Sequence, residues 1–171
     1  MNGVTAARLR ASGMPYKLMF GVELPRLQEI ASEFQPSHEL ALRLWQENIR
    51  ECRILATMLH PVEEFYPELA DMWVESLRKD DVEVAQQLVF HLIARTPYAA
   101  DRGFRWIASE SSMQQLCGFL VLGNLLRSGG QLNPDSANEF VDQAEAAASS
   151  EWMPLRKAVQ NAMLHYQEAS M

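Results

Sequence analysis

The sequence has only two cysteines, Cys52 and Cys117, in 171 residues. Two cysteines cannot build a disulfide framework, and neither has histidine or cysteine neighbours at the spacing of a zinc site. Both lie in apolar segments with helical periodicity, so we predict that they are buried, reduced thiols. The four histidines are scattered along the chain. We therefore predict no metal site, and no cofactor motif is present.

Long apolar runs are also missing. No segment approaches the roughly 18 residues that a membrane-spanning helix needs, and the N-terminal segment MNGVTAARLRASG has no signal-peptide core. We therefore expect a cytoplasmic protein without membrane contact. Glycine and proline are sparse, with eight of each, which argues against a disordered or collagen-like chain.

Positive charge is scarce, because 15 Lys and Arg face 22 Asp and Glu and give a net charge of -7. Tight non-specific binding to nucleic acid depends on neutralising phosphates, so this balance argues mildly against it. Arg127 is the only Lys or Arg between Trp106 and Leu155, a stretch with several acidic residues. A local basic patch is conceivable near the N-terminus, where the basic residues are Arg8, Arg10, Lys17 and Arg26.

Strand-like alternation is absent, and apolar residues recur at helical spacing along most of the chain. Glycine, proline and capping residues divide the chain into about nine or ten helices of roughly 9–18 residues, the first of which ends near Gly13. Ser37, Ser111 or Ser112, and Asn133 are predicted to begin helices. The pair Gly129-Gly130 is predicted to end one. We predict a single all-α domain over residues 1–171.

The helices also recur in pairs, with second helices centred near Leu55, Val89, Leu120 and Ala162. A repeat of roughly 30–40 residues made of two antiparallel helices is typical of HEAT and armadillo repeats. The spacing therefore predicts an α-α superhelix of HEAT-like or armadillo-type helical repeats. A compact helical bundle is the alternative.

An acidic cluster, Asp80, Asp81 and Glu83, precedes an apolar run in the segment KDDVEVAQQL. Asp80 and Glu83 have the spacing of a capping box, and carboxylates in a first helical turn complement the helix dipole. We therefore interpret the cluster as a helix start. A catalytic role for one of the carboxylates is the alternative.

Four segments, in this order, resemble the DNA alkylation repair family, the HEAT-like alkylpurine DNA glycosylases of the AlkD type. They are FGVELPRLQEIA (20–31), LALRLWQENIRECRILATML (40–59), RTPYAADRGFRWIASE (95–110) and LRKAVQNAMLHY (155–166). The resemblance implies a curved array of paired helices that holds DNA against a basic concave face. It also implies excision of N3- or N7-alkylated purines. In that chemistry tryptophans and an aspartate contact the deoxyribose, and the carboxylate stabilises the developing oxocarbenium charge.

Residue by residue, the resemblance assigns unsuitable side chains to the family's functional positions. The tryptophan and catalytic aspartate of the pattern W-D-x-x-D fall on Asp80 and Val84. The arginine of the next repeat falls near Leu116, and the tryptophan of the last helix falls on Asn161. A valine cannot supply the anion that the mechanism needs.

Three hypotheses follow from this mismatch. The first, which we favour, is a non-catalytic HEAT-like scaffold that binds a protein or nucleic acid through its concave face. The second is an active alkylpurine DNA glycosylase that uses Asp80, Asp81 or Glu83 as its anion. The third is a protein-interaction module with an acidic and apolar concave face. The sequence predicts neither the identity of the partner nor the oligomeric state.

Overall fold

The computed structural model of the protein describes residues 21–171. In this part of the chain there are nine α-helices of 9 to 17 residues and no strands, so the all-α prediction is confirmed. The predicted first helix before Gly13 lies outside the described residues, as do the basic residues Arg8, Arg10 and Lys17. The helices are α1 (Leu24–Ser32), α2 (His38–Gln46), α3 (Arg50–Leu59), α4 (Pro67–Glu75), α5 (Val82–His91), α6 (Ala99–Ile107), α7 (Ser112–Arg127), α8 (Pro134–Ala147) and α9 (Met153–Ala169).

The chain forms two compact units, which meet in sequence at Phe65 and Tyr66. The first unit contains α1 to α3, and the second contains α4 to α9. Short 3-10 turns follow α3 at Val62–Glu64 and α5 at Ile93–Arg95. A single domain over residues 1–171 therefore remains a prediction.

Three helices begin where the capping residues predict. The side chains of Ser37, Ser111 and Asn133 each accept a hydrogen bond from the backbone amide three residues further on, at 3.2, 3.3 and 2.8 Å. Such a bond satisfies one of the amides that have no partner within the first helical turn. These boundaries follow from local sequence alone.

The end of α7 also follows from local sequence. Gly129 has a φ of 96°, a conformation that a side chain would disfavour. Its amide donates to the carbonyl of Leu126 at 3.1 Å, and the amide of Gly130 donates to the carbonyl of Leu125 at 2.9 Å. This pair of bonds is a Schellman motif, which closes the last turn of the helix.

In the first unit, α3 packs against both α1 and α2. The charged residues of α3 take part in this packing, because Glu51 and Arg53 are only 1% and 7% exposed. The guanidinium of Arg53 lies 4.6 Å from the ring centroid of Trp45, and its Nε donates to the carbonyl of Trp45 at 3.1 Å. Glu51 accepts from Nη1 of Arg50 at 2.9 Å. The contacts between Arg53 and Trp45, both in the family-like segment 40–59, therefore hold α3 against α2.

A histidine pair closes the C-terminal end of α3. Nδ1 of His38 and Nε2 of His60 are 2.8 Å apart, and Nδ1 of His60 lies 2.8 Å from the carbonyl oxygen of Pro61. Burial lowers the pKa of His60 below its ordinary value of 6.5. The neutral imidazole of His60 therefore donates from Nδ1 to Pro61 and accepts from His38.

In the second unit, α7 is the central helix, and α4, α5, α6 and α9 all pack against it. It has buried side chains on every face, as expected for a helix inside a core. Glycines on α7 allow its neighbouring helices to approach it closely. A Cβ on Gly118 would lie 2.7 Å from the backbone nitrogen of Ile107 in α6, and one on Gly123 would lie 3.3 Å from Cβ of Ala162 in α9.

Candidate functional site

The acidic cluster lies at the start of α5, but its residues do not form the predicted capping box. The helix begins at Val82 with Asp81 as its N-cap residue, and the Asp81 side chain makes no capping bond to the first turn. Instead, Oδ2 of Asp81 accepts from the amide of Arg78 at 2.8 Å, while the Asp81 amide donates to the Arg78 carbonyl at 2.8 Å. The capping-box prediction, with Asp80 as the N-cap residue, is therefore wrong, because the helix begins one residue later and Asp81 is the N-cap residue.

Two adjoining cavities lie between α5, α7 and α9, with volumes of about 390 and 380 Å³. They share the side chains of Gln86, Leu120, Ala158 and Asn161. Since α5 and α9 both pack against α7, the cavities form one groove along three helices. We call it the α5–α7–α9 groove. Its further lining residues are Val82, Gln87, Val89, Phe90, Leu116, Phe119, Gly123, Asn124, Arg127, Met153, Pro154, Lys157 and His165.

The structure brings two of the four family positions into this groove. Leu116 lies at its base and is 1% exposed, and Asn161 is an exposed residue of its wall. Val84 is also 1% exposed but belongs to the core of the second unit, and Asp80 is exposed in the turn before α5. Neither Val84 nor Asp80 lines the groove.

Three of the α5 residues that line the groove, Val82, Gln86 and Phe90, are each four residues from the next, and Gln87 and Val89 line it beside them. Residues spaced by four lie on one face of a helix, whereas Val84 is two residues, about 200°, away from both Val82 and Gln86. The residue-by-residue resemblance therefore places the family's aspartate on the buried face of α5. None of the α5 residues that line the groove is acidic.

The described groove lining contains cationic side chains but no carboxylate. Arg127 and Lys157 line it together with His165, and no Asp or Glu is among its described lining residues. Glu168 lies at one end, where it shares a smaller cavity with Arg127 and His165 and approaches Nδ1 of His165 at 3.5 Å. The groove thus differs from the acidic and apolar face expected under the third hypothesis.

The acidic residues responsible for that expectation lie elsewhere in the second unit. Four of them are exposed on α8, which contributes nothing to the groove: Asp135, Glu139, Asp142 and Glu145. The three candidate carboxylates Asp80, Asp81 and Glu83 do not line the groove either. Negative charge in this part of the sequence is therefore segregated from the groove.

An exposed aromatic ring projects from α5 in the groove. Phe90 is 50% exposed and contacts the ring of His91 in an edge-on arrangement, with the centroids 5.2 Å apart. His91 is held in turn by Gln87, whose Oε1 lies 2.9 Å from Nε2 of the imidazole. Burial, and secondarily the charge of Arg95, lower the pKa of His91. The Phe90 ring is therefore in contact with a neutral, hydrogen-bonded imidazole.

Tryptophans contribute mainly to the core. Trp45, Trp73 and Trp106 are 3–5% exposed and belong to the core. Trp152 is the exception, because it is partly exposed and Nζ of Lys79 lies 5.5 Å from its ring centroid. Trp152 immediately precedes the groove residue Met153.

The residues predicted from the sequence do not include most of the groove lining. Among those left out are Gln86, Phe90, Lys157 and His165. A signal for them existed, because Val82, Gln86 and Phe90 are spaced by four residues, as are Asn161 and His165. These spacings fall on α5 and α9, two of the predicted second helices of the pairs. The sequence alone did not distinguish this face from the buried one.

The buried-thiol prediction is confirmed, because Cys52 and Cys117 are both 0% exposed. Burial raises the pKa of the Cys117 thiol to about 12. Among residues 21–171, no three His, Cys, Asp or Glu side chains are grouped as metal ligands. No helix in the same range has the length and apolar character to cross a membrane.

Comparison with known proteins supports the resemblance noted above. A family model described as DNA alkylation repair enzyme matches residues 2–164. No curated protein and no solved structure matches the chain.

Proposed function

Since the chain belongs to the DNA alkylation repair enzyme family, we propose that it is a non-catalytic member that binds nucleic acid in the α5–α7–α9 groove. The observation behind the proposal is the charge of that groove. In a chain with a net charge of -7, the described lining includes the cations Arg127 and Lys157 and no carboxylate. Such segregation attracts an anionic ligand even when the whole molecule is acidic.

The same observation supports the absence of glycosylase chemistry. Cleavage of the bond between base and sugar develops positive charge on the sugar, which a fixed anion stabilises. The groove positions available on α5 hold Val82 and Gln86, and on the facing helices Leu116 and Asn161. An amide or an alkyl group cannot supply the full negative charge of a carboxylate. The ligand would therefore be bound without being cut.

Amide side chains suit the binding role. Gln86, Gln87, Asn124 and Asn161 line the groove and offer both donors and acceptors. Arg127 and Lys157 line different cavities of the groove. Phosphates could therefore be bound on both sides of the shared amide-lined segment.

A salt titration with charge-reversed variants tests the proposal. Affinity for a labelled duplex and for labelled single strands is measured by fluorescence anisotropy at several salt concentrations. We expect micromolar or weaker binding that falls steeply with salt, and a double variant Arg127→Glu/Lys157→Glu that binds less tightly with a salt slope smaller by about 2.

The matched control is the double variant Arg43→Glu/Arg105→Glu, which changes the net charge equally at two exposed positions outside the groove. We expect it to retain most of the affinity. Absence of binding to every nucleic acid would refute the proposal. Equal losses in the two double variants would show that the groove is not the binding site. Salt-independent capture of an apolar peptide in the groove would favour a protein partner instead.

An active glycosylase using Asp80, Asp81 or Glu83 is the second candidate. One observation favours it, namely that Lys79, next to Asp80, lies over the partly exposed ring of Trp152. A sugar could approach the carboxylates from this side. On this hypothesis, Asp80→Asn/Asp81→Asn/Glu83→Gln abolishes excision of alkylated purines. Unchanged excision by the triple variant would exclude it.

A further inference from the structure

The exposed ring of Phe90 indicates which form of nucleic acid the groove accepts. We propose that the α5–α7–α9 groove binds single-stranded rather than duplex nucleic acid, with one unpaired base stacked on Phe90. The inference rests on the proposed function, because it concerns the ligand of the same groove.

Phe90 is half exposed, although most large apolar side chains of the second unit are buried. Its known ring contact is edge-on with His91, at an interplanar angle of 83°. Because Phe90 is 50% exposed, part of its ring is accessible to a ligand. An aromatic face in a cationic groove is typical of single-strand binding, since every unpaired base has a π-face that can stack on it.

The surroundings of Phe90 favour a base over a purely apolar ligand. The cavity that it lines also includes Gln86, Gln87, Asn124 and Asn161. Amide groups can pair with the hydrogen-bonding edges of bases, and these edges are fully accessible only when the base is unpaired. A leucine-rich protein segment would leave several of these amides without partners, which costs free energy.

The dimensions and charges of the groove agree with this ligand. The cavity around Phe90 has a volume of about 390 Å³, within the roughly 300–1,000 Å³ of pockets that enclose small organic groups. Arg127 lies in the same cavity, and Lys157 lies in the adjoining one. A strand that passes along the groove would therefore meet Arg127 in the cavity of the stacked base and Lys157 in the adjoining cavity.

Substitutions of Phe90 separate stacking from general apolar contact. Phe90→Leu keeps an apolar side chain but removes the ring, whereas Phe90→Tyr keeps the ring. Met72→Ala is the matched control, because Met72 is 64% exposed on α4 and does not line the groove. Thermal unfolding of each variant shows that it is folded before binding is compared.

The probes are labelled oligo-dT and oligo-U of about 16 nucleotides, the upper end of typical single-strand site sizes, and the oligo-dT·oligo-dA duplex. We expect both single strands to bind more tightly than the duplex. Phe90→Leu should weaken single-strand binding roughly 5- to 150-fold, the range for loss of one stacked base. Phe90→Tyr should retain more single-strand affinity than Phe90→Leu, and Met72→Ala should bind like the unaltered protein. Phe90→Leu should weaken single-strand binding more than duplex binding.

Two results would overturn the inference and leave the proposed function intact. One is duplex binding as tight as, or tighter than, single-strand binding. The other is unchanged single-strand affinity in Phe90→Leu while Arg127→Glu/Lys157→Glu still weakens binding. Failure of all three probes to bind would overturn the inference and the proposed function together. Retention of one single strand and loss of the other would support the inference and would show that the groove distinguishes deoxythymidine from uridine, which differ in the 2′-hydroxyl and in the base methyl group.

Discussion

Placing an aspartate at Val84, the position to which the resemblance assigns the catalytic carboxylate, should unfold the protein rather than restore chemistry. Val84 is 1% exposed and lies on the core face of α5. The comparison variant is Gln86→Asp, which introduces the same carboxylate two residues further along, on the exposed groove face. The two variants differ mainly in which face of α5 receives the charge.

The expected loss follows from the burial of Val84. Losing the buried valine removes about 1.5 kcal/mol of apolar burial, the lower end of the range for such a side chain. Keeping an aspartate neutral in the core at about pH 7 costs about 4 kcal/mol, since its ordinary pKa is about 3.9 and one pKa unit corresponds to about 1.4 kcal/mol. The favourable interaction of an acidic residue with the helix dipole at the start of α5 offsets at most about 1 kcal/mol of this loss. The net loss of about 4–5 kcal/mol approaches the total stability of many domains.

Urea unfolding followed by far-UV circular dichroism measures both variants against the unaltered protein. We expect Val84→Asp to be largely unfolded or to unfold at much lower urea, and Gln86→Asp to lie within about 1 kcal/mol of the unaltered protein. A loss below about 1 kcal/mol for Val84→Asp would refute our account of the two faces of α5. It would also reopen Val84 as a groove position.

Three further predictions concern packing, thiol chemistry and pH. Gly118→Ala should destabilise the protein by about 1–3 kcal/mol, because the new Cβ would lie 2.7 Å from the backbone nitrogen of Ile107. In the same urea assay Gly123→Ala should lower the free energy of unfolding by less, since the nearest contact of the new Cβ is at 3.3 Å and alanine favours the helix by about 1 kcal/mol. A larger loss for Gly123→Ala than for Gly118→Ala would contradict the α6–α7 packing. Cys117 should react with an aromatic disulfide reagent only after denaturation, because burial raises its thiol pKa to about 12; rapid reaction in the native protein would contradict that burial. Stability should fall as the pH drops below about 6.5, because burial lowers the pKa of folded His60 and the unfolded chain then binds the proton more readily. His60→Gln should flatten this pH dependence, and an unchanged slope in urea titrations across that pH range would exclude His60 as a source.

Local features of the sequence predicted the fold well. Ser37 and Asn133 satisfy amides within their own first turns, and Gly129 permits the backbone conformation that ends α7. Each of these effects involves residues a few positions apart, so the sequence contains all the information needed. The same holds for the helical periodicity that predicted an all-α chain.

The candidate site was harder to predict, because it depends on tertiary packing. The capping box at Asp80 did not form because α5 begins one residue later, with Asp81 as its N-cap residue, and the carboxylate of Asp81 accepts from the backbone amide of Arg78. The lack of carboxylates in the described groove lining was not apparent from the sequence, because four of the acidic residues between Trp106 and Leu155 lie on α8, away from the groove. A count of charges along the chain does not reveal which helix face they occupy. The same limit applies to Val84, because the packing of α5 against α7 decides which face of α5 is buried.

The most direct test of the central claim is the release of bases from alkylated DNA. The purified protein is incubated with DNA treated with a methylating agent, and free 7-methylguanine and 3-methyladenine are quantified against a heat-denatured control. Our account predicts no release above the control by a preparation that still binds nucleic acid, because the groove lining described from residue 21 onward has no carboxylate to stabilise the sugar cation. Release above the control would contradict the account and would make Asp80, Asp81 and Glu83 the first residues to replace.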